Sequence, residues 1–178
     1  MPSNIEIKAV LADRAAAEAT AIRLCNSVPG TIHQEDFFFA CEGARLKLRV
    51  LSADRGELIR YERSNDREAR RSQYSIARTS DPKVLLDILS ATLGLTGVVK
   101  KKRTLYLIGQ TRVHLDEVEG LGDFLELEVV LRAGQSEQVA RSIASALLAE
   151  FRIEEKHLIG EAYIDLLTHG PFSAAAIL

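Results

Sequence analysis

The chain has 178 residues, 47% hydrophobic and 27% charged, with a net charge of −2. That length and balance suit one folded domain with a sizeable core and exclude a disordered tail, and no stretch reaches the roughly 18 consecutive apolar residues of a membrane span. Near-neutrality argues against broad nucleic-acid binding, which needs a dominant basic face, so the arrangement of the charges carries the information.

The opening residues Met1, Pro2, Ser3 and Asn4 lack the basic and then apolar regions of a signal peptide, which predicts a cytoplasmic protein. Strict alternation predicts a first strand over residues 4–10, with Asn4, Glu6 and Lys8 on one face and Ile5, Ile7 and Ala9 on the other. An Ala-rich helix over residues 13–26 follows, capped by Asp13 and broken at Pro29-Gly30. Cys25 and Cys41 form no ligand-spaced pair and read as reduced thiols rather than a bridge. Strands are predicted over 31–41 and 45–51, then, after a turn at Ala53-Asp54-Arg55-Gly56, over 57–63. Residues 64–72 are polar and read as a loop, with a short strand over 73–78. Asp81-Pro82 opens a helix that runs to Gly94. Strands over 97–108, 110–118 and 123–131 precede a helix over 136–151 with Val139, Ile143 and Leu147 on one stripe, and a short helical segment spans 163–167. At least seven strands and three main helices, without repeat or linker, predict a single antiparallel α+β domain over 1–178, with a closed or nearly closed barrel.

Charged side chains recur at period two on almost every strand. Arg45, Lys47 and Arg49 alternate with Leu46, Leu48 and Val50; Tyr61-Glu62-Arg63 ends the next strand. Lys101 and Arg103 share a face with Val99, Arg112 and His114 share one with Asp116, and Glu126 and Glu128 alternate with Leu125, Leu127 and Val129. For any single strand, a wet polar face is the commoner arrangement. Taken together the strands point elsewhere, because cations two apart on one strand repel unless an anion lies between them. The alternative is a barrel turned inside out, with apolar faces outward under helices and charged faces lining a cavity. Eight cations (Lys8, Arg45, Lys47, Arg49, Arg63, Lys101, Arg103, Arg112) face four carboxylates (Glu6, Asp116, Glu126, Glu128), an excess of four positive charges. Buried charge needs partners, so such a cavity calls for a polyanion such as a triphosphate, with carboxylate oxygens suited to Mg²⁺ or Mn²⁺.

At these residues the sequence resembles a known family. Asn4-Ile5-Glu6-Ile7-Lys8 is similar to an N-terminal Glu-x-Glu-x-Lys signature, and Arg45-Leu46-Lys47-Leu48-Arg49 to a basic third strand. Lys101-Lys102-Arg103-Thr104-Leu105-Tyr106 matches a Lys-x-Arg-x-x-Tyr strand. Residues 113–128 resemble the diagnostic stretch of the class IV adenylate cyclase branch, and Tyr163-Ile164-Asp165-Leu166-Leu167 the C-terminal Tyr-x-Asp-Leu pattern. With five motifs in order, the chain resembles the CYTH, or triphosphate tunnel metalloenzyme, superfamily. The resemblance implies an eight-stranded antiparallel tunnel binding a triphosphate and Mg²⁺ or Mn²⁺. It assigns metal to Glu6, Glu126 and Glu128, and phosphate to Lys8, Lys47, Arg49, Arg63, Lys101, Arg103 and Arg112, with Arg45 a further phosphate candidate. Arg60 competes with Arg63 for its position. Lys8 and Asp116 are the catalytic candidates, and His114 is either a proton-transfer group or a structural histidine. Asn4 replaces the signature's first Glu; its carbonyl can ligate, but it carries no charge and cannot act as a base.

These residues support an adenylate cyclase-like reaction, in which the ATP 3′-hydroxyl attacks the α-phosphorus and pyrophosphate leaves. The alternatives are a triphosphatase acting on tripolyphosphate, a nucleoside triphosphate or thiamine triphosphate, and a non-catalytic polyphosphate or nucleotide sensor. The phosphate-cradle Gly-x-x-x-x-Gly-Lys motif and the His-Glu-x-x-His zinc motif are both missing from the sequence. The expected partner is a small triphosphate rather than nucleic acid or membrane, and the resemblance permits a homodimer.

Overall fold

Period-two alternation of apolar residues builds eight strands, and side-chain caps delimit the helices between them. In the computed structural model, which describes residues 4–62 and 70–168, the order is β1 (Asn4–Val10), α1 (Arg14–Leu24), β2 (Gly30–Phe39), β3 (Arg45–Ser52), β4 (Arg55–Glu62) and β5 (Arg70–Thr79). It continues with α2 (Pro82–Leu93), β6 (Leu95–Ile108), β7 (Thr111–Val118), β8 (Gly122–Val130), α3 (Glu137–Glu150), a 3₁₀ turn at Glu155–His157 and α4 (Tyr163–Thr168). Asp13 accepts from the Ala16 amide at 2.9 Å and Asp81 from the Val84 amide at 3.2 Å, so both predicted caps form. Each such cap stabilises its helix by about 1 kcal/mol. Gly94 ends α2 at φ 80°, a conformation that side chains with a Cβ rarely adopt.

The strands are antiparallel in the order β1-β5-β4-β3-β2-β6-β7-β8. The sheet curls, because β1 pairs with β8 along seven residues and with β5 along three, Asn4↔Ser72 to Glu6↔Arg70. Residues 70–72, expected in a loop, therefore belong to β5. Their ladder partners are 64 residues or more away in β1, which the polar local sequence does not reveal. The remainder of that expected loop lies outside the described residues.

The strands' apolar faces point outward. Ile5, Ile7 and Val129 pack beneath Ala140 and Ala144 of α3, while Val113, Leu115, Leu125 and Leu127 pack beneath Ala17 and Ala21 of α1 and Leu147 of α3. Small alanines at these contacts let the helices lie close to the sheet, and each fully buried Leu or Ile contributes about 1.5–3 kcal/mol. A third cluster, including Phe38, Tyr61, Val99, Phe124 and Ile164, joins the strands to α4. A Cβ on Gly97 would lie 2.5 Å from the Ile164 Cδ1, so the bare backbone of β6 is what lets α4 seat there. Among the described residues, no helix is long and apolar enough to cross a membrane.

Candidate active site

Opposite the apolar faces, alternation carries the charged side chains inward. They line a cavity of about 210 Å³, enough for on the order of a dozen waters or an equivalent polar guest. Lys8 comes from β1, Lys47 and Arg49 from β3, Lys101 and Arg103 from β6, and Arg112 from β7. Facing them are the carboxylates of Glu6, Asp36, Glu126 and Glu128, so among the described lining residues six cations meet four anions. The surplus is two positive charges rather than the four expected.

Two Lys-x-Arg clamps dominate the wall, each closed by one aspartate from the neighbouring strand. Asp36 on β2 accepts from the Lys47 Nζ at 2.6 Å and from the Arg49 guanidinium at 2.8 and 2.9 Å. Asp116 on β7 accepts from the Lys101 Nζ at 3.0 Å and from the Arg103 guanidinium at 2.6 Å through each of two nitrogens. The fork of arginine matches a carboxylate in two parallel bonds and locks its own orientation. Arg103 also donates to Glu126 at 3.0 Å, tying the second clamp to β8.

These pairings control the protonation states. Burial alone would raise the Asp36 carboxyl, but Lys47 and Arg49 outweigh it and hold the group far below the ordinary carboxylate range. Asp116 behaves alike: burial opposes ionisation, and Arg103 with Lys101 overrides it. Glu126 is held well below its usual value by Arg103, Lys8 and Lys101 against the effect of burial, and Glu128 is lowered, also against burial, by the nearby His114 side chain. Burial and then Arg49 push the Lys47 ammonium down to about 8. Lys101 is lowered by burial and Arg103.

Of the predicted phosphate residues, Lys8, Lys47, Arg49, Lys101, Arg103 and Arg112 share the cavity. Arg45 is not among the lining residues. It reaches Asp165 of α4 in a bidentate pair at 3.0 and 2.7 Å and fastens that helix to β3. Arg63 lies outside the described residues, and Arg60, its competitor, pairs with Glu62 at 2.8 Å on the exposed side. The catalytic candidate Asp116 is fully buried behind the wall, its oxygens taken by Lys101, Arg103 and the Tyr163 hydroxyl, so its geometry is that of an internal counter-ion. His114 is also buried, with Nε2 3.6 Å from Glu128, and does not line the cavity. Asp36 escaped sequence reasoning, and Tyr163 appeared there only as part of a C-terminal motif, with no role assigned. Asp36 stands directly across from Arg49, but the run Phe37–Phe39 hides the alternation of β2. Tyr163 enters from α4, far along the chain from every strand motif.

Glu6, Glu126 and Glu128 all line the cavity, and Glu6 sits directly opposite Glu128 across the β1–β8 ladder. Like charges facing each other are unfavourable unless a cation separates them, and hard carboxylate oxygens suit Mg²⁺ or Mn²⁺. The chemistry of this donor set fits a divalent metal. Among the described residues, no three His, Cys, Asp or Glu side chains gather tightly enough to hold one. Glu126 turns instead to Arg103, and Glu128 to Arg112 and His114.

The CYTH domain profile matches residues 3–163. The chain belongs to the CYTH domain family. Solved structures share its fold. The PH1012 protein of Pyrococcus horikoshii OT3 superposes with TM-score 0.81 at 22% identity, covering 92% of this chain and 98% of that one. A candidate adenylate cyclase of Vibrio parahaemolyticus gives TM-score 0.73 at 16% identity, covering 93% and 97%. A candidate adenylyl cyclase of Hippeastrum, described as having a dominant triphosphatase activity, gives TM-score 0.68 at 14% identity, covering 97% and 98%. Identities this low establish the fold these CYTH-type chains share and nothing finer. No curated protein matches the chain.

Proposed function

We propose that the chain, one domain over residues 1–178, is a cytoplasmic, divalent-metal-dependent enzyme that processes a triphosphate inside a closed tunnel formed by its sheet. The observation that carries this reading is the convergence of six cations from four strands with three metal-type carboxylates in one cavity. The unbridged Cys25 and Cys41 are in keeping with a reducing compartment.

Lys47, Arg49, Lys101, Arg103 and Arg112 bind the phosphate oxygens, and the two clamped aspartates hold four of these side chains in place before substrate arrives. Preorganisation of this kind avoids reorganisation cost during reaction. Lys8, buried beside Glu126 on the adjoining strand, stabilises negative charge developing on the transferred or departing phosphate. Glu6, Glu126 and Glu128 would hold Mg²⁺ or Mn²⁺, which supplies further neutralisation of phosphate charge.

Between reactions, the geometry supports the adenylate cyclase-like one, ATP to cyclic AMP and pyrophosphate. Phe38, Tyr61 and Tyr74 give the cavity an aromatic portion that an inorganic triphosphate does not need. Asn4 also lines it with a buried carbonyl oxygen that has no hydrogen-bond partner among the described residues, and an amide cannot take a proton from an attacking water. Triphosphate hydrolysis is the second reading, supported by the activity described for the Hippeastrum neighbour.

Product analysis with ATP and with tripolyphosphate, each with Mg²⁺ and Mn²⁺, tests both. Cyclic AMP with pyrophosphate is the expected result; orthophosphate alone would assign hydrolysis. Tight binding without product would leave a sensor, and neither binding nor turnover would end the reading.

The affinity of the cavity for tripolyphosphate is also expected to fall as pH rises through about 8, where Lys47 loses its proton. In stability the sign is opposite. Between about 8 and the ordinary lysine value the unfolded chain binds more protons than the folded one, so this group's contribution rises with pH. Isothermal titration across pH 7 to 9 should show the loss in the parent protein. Lys47→Arg, charged throughout, should abolish it.

A further inference from the structure

All three lysines of the cavity rest on aromatic rings. The Lys47 Nζ lies 5.6 Å from the ring centroids of both Phe38 and Tyr61, whereas Lys8 and Lys101 share a single ring, that of Tyr163, at 4.1 and 5.1 Å. We infer that Tyr163 is a positioning residue for anion binding: its ring is a seat, itself carrying no charge, that keeps the Lys8 ammonium turned toward the guest, beside Lys101, which Asp116 also holds at 3.0 Å. This rests on the reading that the cavity takes a phosphate anion.

Besides the ring, the Lys8 Nζ donates to the Glu161 carbonyl at 3.4 Å, and the carboxylate of Glu126 is near at hand, directly opposite Lys8 in the β1–β8 ladder. An ammonium drawn fully onto Glu126 would be neutralised and lost to a ligand. The π face attracts a cation without supplying a competing negative charge. The ring is held by two contacts, and the helix that carries it by two more. The ring's hydroxyl donates to Asp116 at 3.0 Å, and its edge packs on Phe124 with centroids 4.9 Å apart. The following residue, Ile164, fills the space over Gly97, and Asp165 is clamped by Arg45. Burial and the neighbouring Asp116 and Glu126 raise the phenol well above its ordinary value, so the hydroxyl remains a donor and adds no negative charge. Arg45 thus serves the site from outside the cavity, by holding α4.

The test measures tripolyphosphate affinity by calorimetry for the parent, Tyr163→Phe, and a series in which position 163 carries phenylalanine with one, two or three ring fluorines. Fluorination weakens the π face while the shape barely changes. Tyr163→Phe is expected within about threefold of the parent, and the trifluoro ring about tenfold weaker, with a stepwise decline between. Tyr163→Leu should lose at least as much, and melting temperatures of the free proteins identify any variant that fails to fold. Packing alone would give a flat fluorine series, and that result, or Phe falling as far as Leu, overturns the inference. If the parent itself takes no tripolyphosphate, the functional reading fails together with this one; if the parent binds and the series is flat, only this one fails.

Discussion

Arg103→Ala is expected to destabilise the protein by about 3–5 kcal/mol, measured as a lower midpoint in urea with little change in slope. The guanidinium is almost fully buried and makes three charged hydrogen bonds, two to Asp116 and one to Glu126. Its removal leaves a fully buried carboxylate with only Lys101 and the Tyr163 hydroxyl, and Glu126 without its strongest partner. Arg103→Lys should recover a minority of the loss, because a point charge cannot reproduce the two-pronged contact. Arg60→Ala is the control: its partner Glu62 and Arg60 itself are more than half exposed, and the change should stay within about 0.5 kcal/mol. The deficit of Arg103→Ala should shrink as pH falls. A carboxyl depressed in the folded state contributes stability above its unfolded value, near 3.9, and loses it below, so the parent surrenders in acid what the variant already lacks.

Lys8→Ala should show the reverse signature, with turnover reduced about 10²- to 10³-fold and the fold intact by circular dichroism. Lys8 lines the cavity and touches the ring of Tyr163, but no strand pairing depends on its side chain. Glu126→Ala should lower turnover at least as far. Steady-state kinetics on whichever triphosphate is turned over will decide. Undiminished activity in both variants would mean the reacting centre has been placed wrongly.

The alternation of β1, β3 and β8 was legible in the sequence because each carries charged or polar residues at period two between aliphatics, and one face of each had to meet helices. The caps at Asp13 and Asp81 were legible for a local reason: both are short polar side chains immediately before a helical run. What escaped was nonlocal. Asp36 sits beside three consecutive phenylalanines, and only pairing with β3 shows that it answers Lys47 and Arg49. Asp116 reads in sequence as one more inward acid, yet its depth and its three donors make it a counter-ion. Arg45 continues the parity of Lys47 and Arg49, but it stands near the end of its strand, where Asp165 of a helix 120 residues later captures it. Asp36 in place of Asp116 leaves the acids at four, so the smaller surplus reflects Arg45, diverted to α4, and Arg63, which lies outside the described residues.

The two aspartate clamps lie inside the curled sheet, whereas pairs such as Arg23–Glu150 lie in open water. Dissolved ions screen the second kind over a Debye length of about 8 Å at physiological ionic strength but reach the first kind poorly. Added sodium chloride should therefore slow the arrival of a polyanion at the mouth while hardly altering the melting temperature. Electrolyte would act on the traffic and spare the architecture.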